Sequence, residues 1–275
     1  MTKTAGLALM SILTLATGTT AVAQDAQPGM KLVWSDEFST DGAPDRAKWA
    51  YDTSRNEDGW YNDEAQYYSA NRLENARVEN GHLIIEARRE SLEGQVADWG
   101  GQQYTSARLI TQGKQDWTYG LYEIRAKLAC GRGSWPAIWM LPTAGDWPRG
   151  GELDIMEHVG HQEGIVHATV HTGATNHASG TGLGGQITLT DACTTFHTYQ
   201  LLWEPDGLFF GVDDKGFNTV MNDGRGDRMT WPFDKPFYMI LNVAVGGTWG
   251  GAEGVDDAIF PARMEVDYVR VFQAE

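Results

Sequence analysis

Glu152, Asp154 and Glu157 stand within six positions of the stretch GELDIMEHVG (151–160), interleaved with Leu153, Ile155, Met156 and Val159. On an extended strand successive side chains alternate faces, so Glu152 and Asp154 share one face while Leu153 and Ile155 take the other. Glu157 lies an odd number of residues from Glu152 and falls on the wrong face unless the strand carries one extra residue. A β-bulge near Ile155–Met156 supplies that residue and re-aims everything after it. Three carboxyl groups then line one face, with the apolar residues in a core. A retaining glycosidase needs two carboxyls about 5–5.5 Å apart, one as nucleophile and one as general acid/base. A third acid between them can share a proton with the nucleophile and raise the pKa of the second, because like charges at close range do not all ionise. A solvated strand face or a Ca2+ site also accounts for alternating acids, but not for their aromatic surroundings.

Those surroundings begin just upstream, in GRGSWPAIWMLP (131–142), where Trp135 and Trp139 are an even number of residues apart and share a strand face. Indole rings on such a face stack on the apolar faces of pyranose rings, and their N–H groups bond hydroxyls. Core packing is the competing reading for any one ring; eleven Trp in one chain, clustered near acids, favour sugar. Five of the seven histidines fall between His158 and His177. A His-rich tract can bind transition metals. Yet His167 and His171 share a face of GIVHATVHT with Thr169, opposite Val166, Ala168 and Val170, which describes a strand with a polar cleft face. Glycosidase chemistry requires no metal, so no catalytic cofactor is expected.

Short strands must position these groups. Alternating β-rich segments recur at 82–90, 119–128, 151–157, 164–172, 196–214, 237–245 and 264–273. LLWEPDGLFFGVD reads as a hairpin, two apolar runs around a Pro-Asp-Gly turn. Helical periodicity over ten or more residues is essentially absent. Many short strands and 33 Gly predict an all-β fold, a large antiparallel β-sandwich of the jelly-roll kind with an open cleft.

The chain has 275 residues, and all-β sandwiches often run to about 200–250 residues as one domain. Residues 1–23 read as a signal peptide: a lysine, a short apolar run, and Ala-Val-Ala before the cleavage point. Residues 24–30 read as a short extension, and 31–275 as one catalytic domain. The mature protein is therefore expected to be secreted, extracellular or periplasmic, with no membrane attachment, and to act as a monomer. A net charge of −16 repels phosphate, which argues against nucleic acid and anionic lipid as partners and leaves neutral polymers open. The two cysteines, Cys130 and Cys193, can form one disulfide in an exported protein, or remain two buried thiols.

Segments SDEF, NDEAQYYS, GHLIIEARRE, YTSARLITQGK, YGLYEIRAKL, GRGSWPAIWMLP, GELDIMEHVG, FHTYQLLWEPDG, LNVAVGGTWGG and MEVDYVRVFQ, in this order, resemble family 16 of the glycoside hydrolases, in its laminarinase-like branch. The resemblance runs from about residue 30 to 273. It implies a jelly roll and endo-hydrolysis of β-1,3-linked glucan with retention of configuration. By resemblance, Glu152 is the nucleophile, Asp154 its helper and Glu157 the acid/base. Asn62, Arg108, Trp135, Trp139 and Trp249 match substrate-binding positions, and His171 matches a cleft histidine beside the acid/base. Glu37, Gly81 and Asp267 match a structural Ca2+ site remote from the chemistry. The sequence departs from the family pattern at His158, directly after the acid/base, where laminarinases usually carry Tyr or Phe.

Overall fold

The computed structural model describes residues 29–275; the segment read as a signal peptide lies outside the described residues. Strands β1 (Met30–Asp36), β2 (Ala50–Tyr51), β3 (Gln66–Tyr68), β4 (Ala76–Glu79), β5 (His82–Arg89) and β6 (Tyr104–Ser106) come first. Then follow β7 (Arg108–Ile110), β8 (Gly120–Lys127), β9 (Ser134–Pro142), β10 (Glu152–Glu157), β11 (Ile165–His171) and β12 (Leu183–Thr188). The last five are β13 (His197–Glu204), β14 (Gly207–Val212), β15 (Lys215–Met221), β16 (Phe237–Val245) and β17 (Ala262–Ala274). Helical geometry among the described residues is confined to single turns, such as Gly160–Gln162 and His177–Ser179. The first strand starts at Met30, inside the segment read as an extension.

Two sheets face each other. The seven-stranded sheet runs β12-β11-β10-β9-β16-β7-β2. The larger one runs β15-β14-β13-β8-β17-β5-β6-β3, with β1 on β17 and β4 on β5. Pairing is antiparallel except between β3 and β6, a departure from the all-antiparallel expectation. The β13–β14 hairpin closes with Glu204 opposite Gly207, so Pro205 and Asp206 form the turn read from the sequence.

The alternating pattern explains what each sheet buries. Leu153, Ile155 and Met156 of β10, with Val166, Ala168 and Val170 of β11, are at most 1% exposed and join one continuous cluster between the sheets. All nine residues of β16 are buried, because this central strand is covered on one face by the core and on the other by side chains such as Trp135 and Trp139. The same cluster takes Trp49, Trp117 and Trp203. Much of the tryptophan therefore serves the core, and only part of it faces the acids. Cys130 and Cys193 are bridged, with Cα atoms 5.8 Å apart, joining the turn before β9 to the turn before β13.

Candidate active site

The register of β10 resolves the parity question. Against β11, Glu152 lies opposite His171, Asp154 opposite Thr169 and Glu157 opposite His167. Against β9, Asp154 faces Trp139, Met156 faces Ile138 and Glu157 faces Ala137. Both ladders shift between Asp154 and the residues after it, the signature of a bulge that absorbs Ile155. Glu152, Asp154 and Glu157 thus occupy alternate cleft-facing levels.

They form part of the lining of a cleft of about 490 Å³ across the outer face of the seven-stranded sheet. Asn62, Arg108, Trp135, Trp139, His171 and Trp249 line the same cleft, so every position read as catalytic or substrate-binding is gathered there. Arg108 is sandwiched between Trp60 and Trp139, its guanidinium carbon 5.2 and 4.6 Å from their ring centroids, and its Nε lies 3.0 Å from Asp52. Trp139 Nε1 donates to Asn242 Oδ1 at 2.7 Å, and Asn242 Nδ2 donates to the Tyr68 hydroxyl at 3.0 Å. These bonds fix the indole plane before any ligand arrives. Trp249 packs edge-on against Trp135 at 5.5 Å.

Two of the three carboxyls each accept a hydrogen bond from an indole. Trp135 Nε1 donates to Glu157 Oε1 at 3.1 Å, and Trp147 Nε1 donates to Glu152 Oε2. Burial, and then the charge of Asp154, pushes the Glu152 carboxyl up to about 8, against the pull of the Trp147 bond. Burial and the charge of Glu152 push Glu157 up to about 7, and the Trp135 bond holds it down. Asp154, only 2% exposed, is driven well above the usual carboxylate range by burial and by Glu157. Three desolvated carboxyls on one face cannot all ionise, so the set carries protons into the neutral range. A site that must give a proton and keep a carboxylate needs that property.

His171 differs from its expected place. It sits opposite Glu152, with Nε2 3.2 Å from Asp154 Oδ2, at the far end of the row from Glu157. The histidine beside Glu157 is His167, whose ring lies 5.0 Å from Trp249. The cause is the register: β11 runs antiparallel to β10, so its later histidine meets the earlier acid. The main-chain N–H of His177 donates to His171 Nδ1 at 3.3 Å, which leaves the ring proton on Nε2, toward Asp154.

Two groups that touch the site escaped the sequence reading. Trp147, five residues before Glu152 in the loop into β10, was hidden among Gly and Pro. Glu64 sits in NDEAQYY two residues after Asn62, with no local pattern to single it out. It lines the cleft, accepts from Gln66 Nε2 at 2.9 Å, and burial raises its pKa.

Glu37, Gly81 and Asp267 lie away from this cleft, on the larger sheet. Asp36 pairs with Val269 and Leu83 with Val266, so the three positions fall at one level. The Glu37 carboxylate is held by Arg270 through two bonds of 2.9 and 2.7 Å. Asp267 contacts Arg125, with His82 Nε2 3.8 Å away. Two guanidinium groups already balance the acids, so a Ca2+ ion would fit through Asp267 and main-chain oxygens only by displacing Arg125 from that carboxylate. His158 is fully buried behind Glu157, and burial pushes its pKa down to about 4.

Comparison with known proteins agrees with this geometry. The chain is 52% identical over 258 residues to the beta-glucanase of Rhodothermus marinus, covering 90% of this chain and 87% of that one. The crystal structure of SCLam, a non-specific endo-beta-1,3(4)-glucanase, superposes with a TM-score of 0.89 at 56% identity, over 91% of this chain and 93% of that one. The laminarinase of Rhodothermus marinus superposes with a TM-score of 0.84 at 52% identity, over 90% and 98%. Residues 63–270 match the family described as glycosyl hydrolases family 16, and with the strand-borne carboxylate row in place, the chain belongs to that family.

Proposed function

We propose that the protein is a retaining endo-β-1,3-glucanase that cleaves internal bonds of laminarin-type glucans by double displacement. The observation that carries the reading is the row Glu152, Asp154, Glu157 on alternate levels of one cleft-facing strand, beside Trp135 and Trp139. Glu152 attacks the anomeric carbon while Glu157 protonates the departing glycosidic oxygen. Water then attacks the glycosyl-enzyme, and Glu157, now a carboxylate, takes its proton. Asp154 holds the nucleophile and tunes its proton, with His171 orienting Asp154. Arg108, Asn62, Trp135, Trp139 and Trp249 hold the sugars.

Glu152→Ala should abolish hydrolysis of laminarin while oligosaccharide binding stays measurable by calorimetry. Turnover by that variant at the wild-type rate would overturn the assignment. Cleavage of mixed-linkage β-1,3-1,4-glucan is the second reading, favoured by the 56% identity to a non-specific glucanase. Product sizes from laminarin, lichenan, agarose and carrageenan separate these, and anomeric NMR of the first product tests retention.

Three subsidiary readings accompany this one. Export by cleavage after residue 23 predicts a mature N-terminus at Gln24, read by mass spectrometry. A monomer predicts a single species of chain mass in light scattering. Structural Ca2+ at Asp267, with carbonyl oxygens of Glu37 and Gly81, predicts a higher melting temperature in Ca2+ than in EDTA, with an unchanged midpoint refuting it. Among the described residues, no helix is long and apolar enough to cross a membrane.

A further inference from the structure

His158 has no part in the chemistry proposed above, yet its environment is unusual. Its ring is 0% exposed, and neither Nδ1 nor Nε2 makes a well-formed hydrogen bond, the backbone of Ala129 offering only a loose one. Buried polar atoms in native proteins are rarely left so, because each orphan forfeits solvation without return. The main chain explains why the ring points inward: the His158 N–H donates to Pro136 O at 3.2 Å, continuing the β9–β10 ladder past Glu157. The side chain therefore turns to the face opposite the cleft. There it meets the sulfur atoms of Cys130 and Cys193, and a ring nitrogen and the two Sγ atoms all lie within 4.8 Å of one another.

The two sulfurs belong to turns that are independently fixed. Leu128 N donates to Ala192 O at 2.9 Å, and Ser134 N donates to Gly131 O at 3.0 Å. Gly160 packs directly on the Gly131 carbonyl, where any Cβ would collide. Opening the disulfide would leave both sulfurs beside the imidazole, because these contacts do not depend on the S–S bond. Two thiolates and one neutral imidazole are a soft donor set of the kind that Zn2+ takes, at about 2.3 Å to sulfur and 2.0–2.1 Å to nitrogen. Both cysteines are half-buried, so a small ion and a fourth, water ligand have access.

We propose that Cys130, Cys193 and His158 form a latent site for a soft divalent cation such as Zn2+, unmasked when the disulfide is reduced. A phosphine or a dithiol supplies the two electrons: the S–S bond breaks, each sulfur gains a proton, and the reductant becomes the phosphine oxide (with the oxygen of water) or a disulfide. Binding of the cation then releases the two thiol protons and forms two metal–sulfur bonds and one metal–nitrogen bond. The ion ties the same two turns that the disulfide tied, so the chain keeps a clamp at this point in either redox state.

Co2+ is the probe. Protein reduced with a phosphine under inert gas should bind one Co2+ per chain, with a thiolate-to-cobalt charge-transfer band and the strong visible bands of a tetrahedral site. Oxidised protein and the Cys130→Ser/Cys193→Ser variant should show neither. His158→Asn should weaken binding by at least roughly tenfold, since even outer partners of a metal site are worth that much. Adding Zn2+ should bleach the cobalt spectrum. Co2+ held instead by Glu152, Asp154 and His171 would lack the sulfur band and would overturn the proposal, as would wild-type affinity in His158→Asn. Should reduction unfold the chain, Zn2+ must raise the melting temperature of the reduced wild type and not of the double serine variant; equal melting with and without Zn2+ also overturns it.

Discussion

Replacing Trp135 by Phe keeps an aromatic ring in the cleft and removes one hydrogen bond, the 3.1 Å contact from Nε1 to Glu157 Oε1. That bond favours the carboxylate form of Glu157 and lowers its pKa. A hydrogen bond to a charged group contributes about 1.5–3 kcal/mol, and about 1.4 kcal/mol corresponds to one pKa unit. Trp135 is only 8% exposed, so water replaces the lost donor poorly. The pKa of Glu157 should therefore rise by about 1–2 units. With Glu152 near 8 and Glu157 near 7, raising Glu157 enlarges the fraction of enzyme that carries a protonated Glu157 beside an ionised Glu152, so kcat/KM between about pH 7 and pH 8 should rise. Trp147→Phe supplies the opposite arm: it removes the donor to Glu152, which must be ionised, so the pKa of Glu152 shifts up, the working fraction shrinks and kcat/KM falls. Trp147 is 42% exposed, and solvent screening cuts that shift to about 1 unit or less. Reducing-sugar release from laminarin across pH, at substrate far below KM, reads both changes. A change of kcat/KM in the same direction in both variants would refute the assignment of one indole to each carboxyl.

Other perturbations act on the frame. The Cys130–Cys193 bridge spans 63 positions, which in the chain-entropy treatment stabilises by about 4 kcal/mol. Cys130→Ser/Cys193→Ser without metal should thus lower Tm by about 8–16 °C in calorimetry, and a drop below about 3 °C would contradict it. Asn242→Leu strands Trp139 Nε1, at about 1–3 kcal/mol, and leaves the Tyr68 hydroxyl only its long bond to Glu64; denaturant midpoints should fall and KM for laminarin rise, because Trp139 loses its orientation. The raised carboxyls also give stability a pH slope. Their contribution is fully present below the ordinary carboxyl pKa of 4.5 and is lost as pH rises through about 7 and 8. Asp154→Asn removes the charge that lifts Glu152, so its Tm should fall less than that of the wild type between about pH 5 and pH 8; parallel curves would count against charge crowding.

Parity on β10 was legible because side-chain alternation is local: Glu152, Asp154 and Glu157 need only the strand and one bulge to reach a common face. The Pro205–Asp206 turn was legible for the same reason. What the sequence hid depends on distant pairing. Glu64 reaches the cleft because it bridges to Gly246, far along the chain, and no local pattern marks that. His171 and His167 were placed on the right face, but His171 was set beside Glu157, where His167 stands, since periodicity gives the face of a strand and not its register. Trp49 and Trp203 carry the same ring as Trp139; only burial against the second sheet separates structural from cleft indoles.

The bulge has a consequence for insertion and deletion. Along β11 the partners of the three acids are His171, Thr169 and His167, stepping evenly by two, and along β9 Trp139, Ile138 and Ala137 follow without a gap. The neighbouring strands therefore measure the interval between the acids, and β10 merely fits an additional residue into it. Excising Ile155 would leave Glu157 four residues from Glu152, still opposite Ala137 and His167. The ruler of this active site is held by strands that carry none of its carboxylates, and the length of the strand that does carry them is free to vary by one.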